Sequence, residues 1–263
     1  MNRIPKSWPV IGLAVLVGLV AAYFLRPRSA EPQPPAGPPI RVLFIGNSYT
    51  ETNDLPGMCT RLVRSEDRPL HVESIVKGGY SLHKHWEDGE ARAAIRRGNW
   101  DFVVLQDQSE MPVISPGKTI ESGKLFADEI KKAGARTLLF VTWPKKNMGS
   151  NQDQILNTYT RLAQETGARL VPVGPVWMQA GFAKVMFYRA DESHPSPLGT
   201  YIAACVFYAV MRDKDPQGLP FEGIVTEAPY SERPAEEIRR YQEMAWKTAL
   251  KLADPSPLPP PEE

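Results

Sequence analysis

The chain has 263 residues, of which 42% are hydrophobic and 23% are charged, so it can bury a core and is not intrinsically disordered. Its 31 basic and 30 acidic residues give a net charge of +1 without any basic tract, which argues against nucleic acid as a partner. Two cysteines, Cys59 and Cys205, are too few for a disulfide framework or a structural zinc site. One disulfide bond between them remains an alternative, although the apolar run around Cys205 favours a reduced thiol in the core.

The N-terminus carries an uncharged run of 18 residues, 8–25, which Arg26 and Arg28 follow. This length is at the lower limit for a membrane-spanning helix, and no cleavage site with small residues is evident. We therefore expect residues 1–25 to be a signal anchor that holds the protein at the membrane of the cell envelope. A cleaved signal peptide, which would make the protein secreted, and a buried soluble helix are the alternatives.

Half of the 26 prolines lie near the two ends of the chain, in residues 1–39 and 255–263. Six of them fall in residues 26–39, which predicts a stiff and extended linker. The tail 255–263 has a similar composition, and we expect it to be disordered. The folded domain is therefore predicted to span residues 40–254.

Within this domain, short apolar runs alternate with longer helical patterns. The predicted strands cover residues 40–45, 71–76, 101–105, 137–142 and 169–173. The predicted helices cover residues 54–66, 86–97, 118–133, 151–166, 197–211 and 234–252. This alternation predicts an α/β fold in which helices cover both faces of a mainly parallel, five-stranded sheet. The ligand site of such a sheet lies beyond the carboxyl ends of its strands.

Chemically active side chains follow the predicted strands, as this rule requires. Ser48 comes just after the first strand, the polar run 106–109 follows the third, and Asp191 and His194 share one loop near the C-terminus. A serine becomes a nucleophile when a histidine takes its proton and a carboxylate holds that histidine in the correct tautomer. Each motif alone is common in turns and helix caps, but their order on this strand pattern favours a catalytic triad of these three residues.

The motifs resemble those of the SGNH/GDSL hydrolase superfamily, in the bacterial branch that has GNS in place of GDS. FIGNSYT is similar to the first block of that family, DFVVLQDQS to the third and DESHPSPLGTYIAACVFYAVM to the last. The resemblance covers essentially all of residues 40–212. It implies a three-layer α/β/α sandwich, flavodoxin-like in its layers, and a serine esterase or acylhydrolase that needs no metal or other cofactor. In that family Ser48 would be the nucleophile, His194 the base and Asp191 the carboxylate that orients it.

The resemblance also implies an oxyanion hole, in which N–H donors stabilise the negative charge of the tetrahedral intermediate. The donors would be the backbone N–H of Ser48, the backbone N–H of Gly79 or Leu82 in the second block, and the side-chain amide of Gln108. Gln108 stands where the family has an asparagine, so its amide is one methylene farther from the backbone. Gln106 is the alternative donor.

Three residues near the predicted cleft are candidates for substrate binding: Asn47, which replaces the usual aspartate, Gln106 and His85. His83 and His85 lack a third ligand, so we expect no metal site. The aromatic residues near strand ends are expected in the core, with stacking on a sugar ring as the alternative; they are Trp143, Trp177 and Tyr188.

The sequence thus predicts a serine esterase of the cell envelope that cleaves a small acyl ester, such as an acetyl group on a carbohydrate. The carbohydrate follows only from the resemblance and the expected location. An O-acyltransferase with the same triad is one alternative. A carbohydrate-binding module with an inactive site is another, and the departures at Asn47, Leu82 and Gln108 favour it. A nucleotide-binding flavodoxin-like protein is weakly supported, because GNSYTETND has one glycine and two acidic residues where a phosphate would lie.

Overall fold

Five parallel strands form the central sheet of the computed structural model, which describes residues 37–181 and 186–255. Along the sheet their order is β2-β1-β3-β4-β5. The strands are β1 (Ile40–Gly46), β2 (Leu70–Val76), β3 (Phe102–Leu105), β4 (Arg136–Phe140) and β5 (Arg169–Val171). The register pairs Val42 of β1 with Val72 of β2 on one side and with Phe102 of β3 on the other. The carboxyl ends of β1, β2 and β3 therefore meet at one edge of the sheet.

Helices connect the strands and cover both faces of the sheet. They are α1 (Ser48–Glu51), α2 (Leu55–Leu62), α3 (Leu82–Asp88), α4 (Glu90–Arg97), α5 (Met111–Ile114), α6 (Pro116–Lys132), α7 (Gln152–Thr166), α8 (Val173–Gln179), α9 (Pro197–Arg212) and α10 (Ala235–Leu252), with a 3-10 helix at Lys146–Asn151.

The strand residues divide between two hydrophobic clusters because successive side chains of a strand point to opposite faces. Val42 and Phe44 of β1 pack with α2, α8, α9 and α10. Leu43 and Ile45 pack with α3, α4, α6 and α7 on the other face. These are the three layers of the expected α/β/α sandwich, so the predicted fold class is confirmed.

Helix α9 lies in the interior and sets the position of the loop that precedes it. Ser196 caps its N-terminus by accepting a hydrogen bond from the Gly199 N–H at 3.1 Å. All residues of the helix except Arg212 are buried, and α2 and α10 pack on either side of it. Within this layer Cys59 and Cys205 are buried free thiols, as the composition of the run around Cys205 favours.

The structure differs from the predicted elements where local backbone geometry interrupts a helical pattern. The predicted helix 86–97 is divided into α3 and α4 at Gly89, whose φ of +81° ends one helix before the next begins. The short helices α1, α5 and α8 were not predicted, because one or two turns give too little periodicity to recognise.

The expected signal anchor in residues 1–25, most of the linker 26–39 and most of the tail 255–263 lie outside the described residues. Each helix in the described part of the chain is too short or too polar to be a membrane span.

Candidate active site

The site begins at the turn from β1 into α1, where Asn47 caps the helix and Ser48 is its first residue. Asn47 has an extended backbone, and its side-chain oxygen accepts a hydrogen bond from the Tyr49 N–H at 3.1 Å. Its side-chain amide donates to the Tyr80 carbonyl at 2.9 Å. Asn47 is 2% exposed and both ends of its side chain fix the turn, but it also lines the cavity beside Ser48, so its role in binding substrate stays a prediction.

Ser48, His194 and Asp191 lie in one hydrogen-bonded line. The Ser48 Oγ is 2.9 Å from His194 Nε2, and His194 Nδ1 is 2.6 Å from Asp191 Oδ2. The other Asp191 oxygen accepts the backbone N–H groups of Ser193 and His194 at 3.0 and 2.9 Å. The structure therefore brings together the three residues that the sequence singled out, although 143 positions separate Ser48 from Asp191 in the chain.

The carboxylate of Asp191 is held in its ionised form. Burial by itself would raise the pKa of Asp191, but hydrogen bonds from the Ser193 and His194 N–H groups and the His194 ring bring it below its ordinary value. An ionised carboxylate at Nδ1 keeps the proton on that nitrogen and leaves Nε2 free to accept the Ser48 hydroxyl proton.

Aromatic side chains support the histidine loop from below. The Tyr49 ring lies edge-on to the His194 ring, and its hydroxyl is hydrogen-bonded to the Ser193 Oγ at 2.8 Å. Trp143 stacks on Tyr49 and donates its indole N–H to the Ser193 carbonyl at 3.0 Å. Trp143 is buried, and so are Trp177 and Tyr188, so these three rings belong to the core, as expected, rather than to a sugar platform.

Two residues that line the cleft beside the Ser48 hydroxyl have free backbone N–H groups. Both Ser48 and Gly79 line a cavity of about 200 Å³ together with His194 and Gln108. In the described part of the chain, neither the Ser48 N–H nor the Gly79 N–H donates to an acceptor. Gly79 has a φ of +70° in the turn after β2, a conformation in which glycine carries little strain. These two N–H groups are therefore free to bind an oxyanion.

Leu82, the alternative donor in the second block, cannot serve this purpose. It is fully buried at the start of α3, and its N–H already donates to the Asp107 carboxylate at 2.8 Å. Of the two candidates in the second block, only Gly79 lines the cleft and has a free N–H.

Gln108 and Gln106 occupy different environments. Gln108 lines the cleft, and its side-chain Nε2 has one hydrogen bond, to the Ser109 Oγ at 3.2 Å, so a second N–H is left for a ligand. Gln106 is fully buried, and its Oε1 accepts hydrogen bonds from the Asn47 N–H and the Thr50 hydroxyl. The prediction that Gln106 binds substrate or serves as an alternative donor was wrong, because its side chain is fully buried and does not line the cleft.

His85 is also buried rather than exposed to substrate. It is 1% exposed, and its Nε2 donates to the Gly46 carbonyl at 2.8 Å. Burial lowers the pKa of His85, which outweighs the opposing effect of this hydrogen bond, so the ring is neutral near pH 7. Its predicted contact with substrate was therefore wrong. In residues 37–181 and 186–255, no three His, Cys, Asp or Glu side chains are placed to hold a metal ion together.

Sequence reasoning missed several residues of the site. Ser109, Glu110 and Lys145 line the cleft, and Glu110 and Lys145 form an ion pair at 3.2 Å. Lys145 follows β4, so the rule that places ligands beyond the strand ends could have found it. Asp107 does not line the cleft but contacts the backbone of two elements that do, and nothing in its motif distinguishes it from its polar neighbours.

Comparisons with solved structures identify relatives of this fold. A candidate SGNH hydrolase from Slackia heliotrinireducens is 30% identical, with a TM-score of 0.59, and the match covers 66% of this chain and 99% of that one. The chain belongs to the SGNH hydrolase superfamily. A DUF4886 family protein from Bacteroides uniformis shares the superfamily fold at 21% identity and a TM-score of 0.63, over 81% of this chain and 95% of that one.

An acetyl-xylooligosaccharide esterase from Geobacillus has a TM-score of 0.53 at 17% identity, over 66% of this chain and 94% of that one, which shows likeness of fold alone. Comparison with protein-family models gives no match, and comparison with curated protein sequences gives none either.

Proposed function

We propose that the protein is a serine esterase that hydrolyses esters of short acyl groups, with Ser48 as nucleophile, His194 as general base and Asp191 as the carboxylate that orients it. The observation that carries the proposal is the hydrogen-bonded line from Ser48 Oγ through the His194 ring to Asp191, with distances of 2.9 and 2.6 Å. Two free N–H groups lie beside this line, so the nucleophile and the oxyanion donors can act on the same ester carbonyl group.

The reaction follows from these positions. The Ser48 Oγ attacks the ester carbonyl while His194 Nε2 takes its proton, and the carbonyl oxygen becomes an oxyanion that accepts from the Ser48 and Gly79 N–H groups and the Gln108 amide. The tetrahedral intermediate collapses, the C–O bond to the alcohol breaks, and His194 returns its proton to the departing oxygen. Water then attacks the acyl-enzyme with His194 as base, which releases the acid and restores Ser48.

The cleft supports a preference for a small acyl group. Its volume is about 200 Å³, and most of the side chains that line it are polar. The Glu110–Lys145 pair at its rim offers both an acceptor and donors to a hydroxyl-rich alcohol. An acetyl ester on a carbohydrate is the substrate class that fits such a site.

We also propose that the domain lies in the cell envelope, on the support of the uncharged run 8–25 and the proline-rich linker that follows it. Fractionation of cells that produce the full chain, followed by carbonate extraction, tests this location. An anchored protein stays in the membrane pellet, a secreted one appears in the medium, and recovery in the cytosolic fraction contradicts the proposal.

Esterase activity is tested with the full chain on p-nitrophenyl acetate, butyrate and octanoate, with Ser48→Ala as the inactive variant. Ser65→Ala, at an exposed serine away from the cleft, is the matched control. We expect turnover that falls with chain length, is lost in Ser48→Ala and is unchanged in Ser65→Ala. Labelling of wild type by a fluorophosphonate without turnover would instead indicate an acyltransferase that lacks its acceptor. If the folded protein shows no labelling and no turnover, a serine enzyme is excluded and the inactive binding module remains.

A further inference from the structure

Asp107 is a buried carboxylate that has no part in the reaction described above. It is 2% exposed, is the second residue after β3 and does not line the cleft. Its Oδ1 accepts the backbone N–H groups of Leu82 and Gln108, both at 2.8 Å, and its Oδ2 accepts the Thr119 hydroxyl at 2.6 Å. With both oxygens hydrogen-bonded below the cleft, the carboxylate cannot exchange a proton with a substrate.

The main chain of Asp107 extends this network to β1. Its carbonyl oxygen accepts the side-chain amide of Asn47 at 3.4 Å and that of Gln106. Its N–H donates to the Tyr159 hydroxyl at 3.1 Å, which ties the residue to α7. Asp107 therefore contacts the segments that follow β1, β2 and β3 at the same time.

Each of these contacts lies next to an oxyanion donor. Asn47 precedes Ser48, and Leu82 follows Gly79 by three residues at the start of α3. Gln108 is bound through its own N–H, which fixes the backbone from which its amide extends. Asn47 also has hydrogen bonds to all three segments, and of the two residues it is Asp107 that accepts backbone N–H groups from the second and the third.

A buried carboxylate is a costly way to hold a protein together. Removal from water opposes the charged form, and an apolar group of similar size commonly serves stability at least as well. Its full set of donors explains how Asp107 is tolerated, but stability alone does not explain its placement at the junction of the three donor segments.

We propose that Asp107 is a positioning residue that aligns the Ser48, Gly79 and Gln108 donors of the oxyanion hole. The inference rests on the proposed esterase function. A displacement of the donors reduces the stabilisation of the transition state more than the binding of the substrate, because the negative charge on the oxygen develops only as the serine attacks. Loss of Asp107 should therefore lower kcat with little change in KM.

The test compares Asp107→Ala and Asp107→Asn with wild type in the full chain. Thr248→Val is the matched control, because Thr248 is buried on α10 away from the cleft and the change removes its part-buried hydrogen bond of 3.2 Å to Gln179 of α8. The kcat for p-nitrophenyl acetate is divided by the concentration of sites that a fluorophosphonate labels, so that unfolded protein does not count. The pH–rate profile and the Ki of a trifluoromethyl ketone, whose adduct carries an oxyanion, complete the measurement.

We expect Asp107→Ala to lower kcat per labelled site about 100-fold and to raise the Ki of the ketone in parallel. Asp107→Asn should keep kcat within about tenfold of wild type, because its amide oxygen still accepts the Leu82 and Gln108 N–H groups. The apparent pKa of the pH–rate profile should not move, since His194 and Asp191 are untouched. Thr248→Val should match wild type in kcat.

Three results would overturn the positioning role: a wild-type kcat per site in Asp107→Ala, a loss shared equally by Thr248→Val, or a shifted apparent pKa. If Asp107→Ala does not fold, Asp107→Leu, which fills a similar volume without an acceptor, decides, and a kcat and Ki equal to wild type in that variant would refute the role. If wild type itself shows neither turnover nor labelling, the proposed function fails instead. Hydrogen exchange of peptide 79–85 then tests the alignment, since exchange as slow in Asp107→Ala or Asp107→Leu as in wild type contradicts it.

Discussion

The wall of the cleft that carries His194 and Asp191 is held by local, partly exposed contacts, whereas the backbone segments that carry the oxyanion donors are held by long-range, buried contacts. His194 and Asp191 lie three residues apart, and their side chains are 34% and 49% exposed. On the other wall, Asp107 is 60 residues from Asn47 and 25 from Leu82, and its exposure is 2%.

This difference separates activity from stability. A substitution at Asp191 removes a solvent-exposed contact, so it should affect turnover while the fold stays intact. A substitution under the other wall disturbs buried hydrogen bonds as well as the donors, so it should affect turnover and stability together.

The largest effect is expected for Asp191→Asn on the exposed wall. The amide cannot hold the His194 proton on Nδ1 as the carboxylate does, so kcat should fall by about 10⁴-fold. The melting temperature should stay within about 2 °C of wild type, because substitutions at exposed positions change stability little. Asp153→Asn, at an exposed position in the first turn of α7, is the control. A kcat within tenfold of wild type would remove Asp191 from the proposed triad.

The next largest effect is expected for Gly46→Ala, beneath the buried wall. A Cβ at this position would be 2.6 Å from the Gln106 Oε1 and 2.7 Å from the Thr50 Oγ1. We expect a loss of about 1–3 kcal/mol in the free energy of unfolding, together with lower turnover, because Gln106 must move away from the Asn47 N–H. Gly117→Ala, at a position with open space in the first turn of α6, should instead be neutral or stabilising. Urea unfolding measures both, and an unchanged stability of Gly46→Ala would contradict this packing.

A smaller effect is expected at glycines with positive φ, where a role in backbone conformation can be distinguished from a role as oxyanion donor. Gly79 and Gly134 have φ values of +70° and +77°, and both have open space where a Cβ would lie. Alanine should cost about 1 kcal/mol of stability at either position. Only Gly79→Ala should also lower kcat, by several-fold, because relief of the strained φ turns its N–H away and, of the two glycines, only Gly79 lines the cleft. Equal turnover in the two variants would argue against Gly79 as an oxyanion donor.

The smallest expected effect is a difference in pH dependence between the two aspartates. Asp191 has a lowered pKa when folded, so its contribution to stability is present above about pH 4 and is lost as pH falls through the folded-state value. Burial raises the pKa of Asp107, against its three hydrogen bonds, so wild type should gain stability through Asp107 as pH falls toward about 4.

Urea unfolding of wild type, Asp107→Asn and Asp191→Asn between pH 7 and pH 3 measures this contrast. On acidification the stability of wild type should rise relative to Asp107→Asn, and below about pH 4 it should fall relative to Asp191→Asn. If the stability of wild type relative to each variant changed in the same direction with pH, the pKa values of Asp107 and Asp191 would not be shifted in opposite directions as proposed.

Patterns local in sequence were the ones that could be predicted. The apolar runs and the alternation of strands with helices were enough for the three-layer fold, and Ser48, Asp191 and His194 were found because each lies in a short motif after a strand or before a helix. The break at Gly89 and the short helices α1, α5 and α8 were not foreseen, because a single positive φ or a single turn leaves no periodic signal.

The sequence by itself determined the layers, the edge of the sheet where the cleft lies and the residues of the hydrogen-bonded line. Tertiary structure alone decided which polar residues near that edge face the cleft. Gln108 and Gln106 are chemically identical and two residues apart, yet one lines the cleft and the other is fully buried. The Leu82 N–H is unavailable to a ligand for a related reason, because it donates to the Asp107 carboxylate. A hydrogen bond between residues 25 positions apart forms only once the strands have paired. Burial and long-range hydrogen bonds depend on the whole packed sheet, so no motif in the chain could have indicated them.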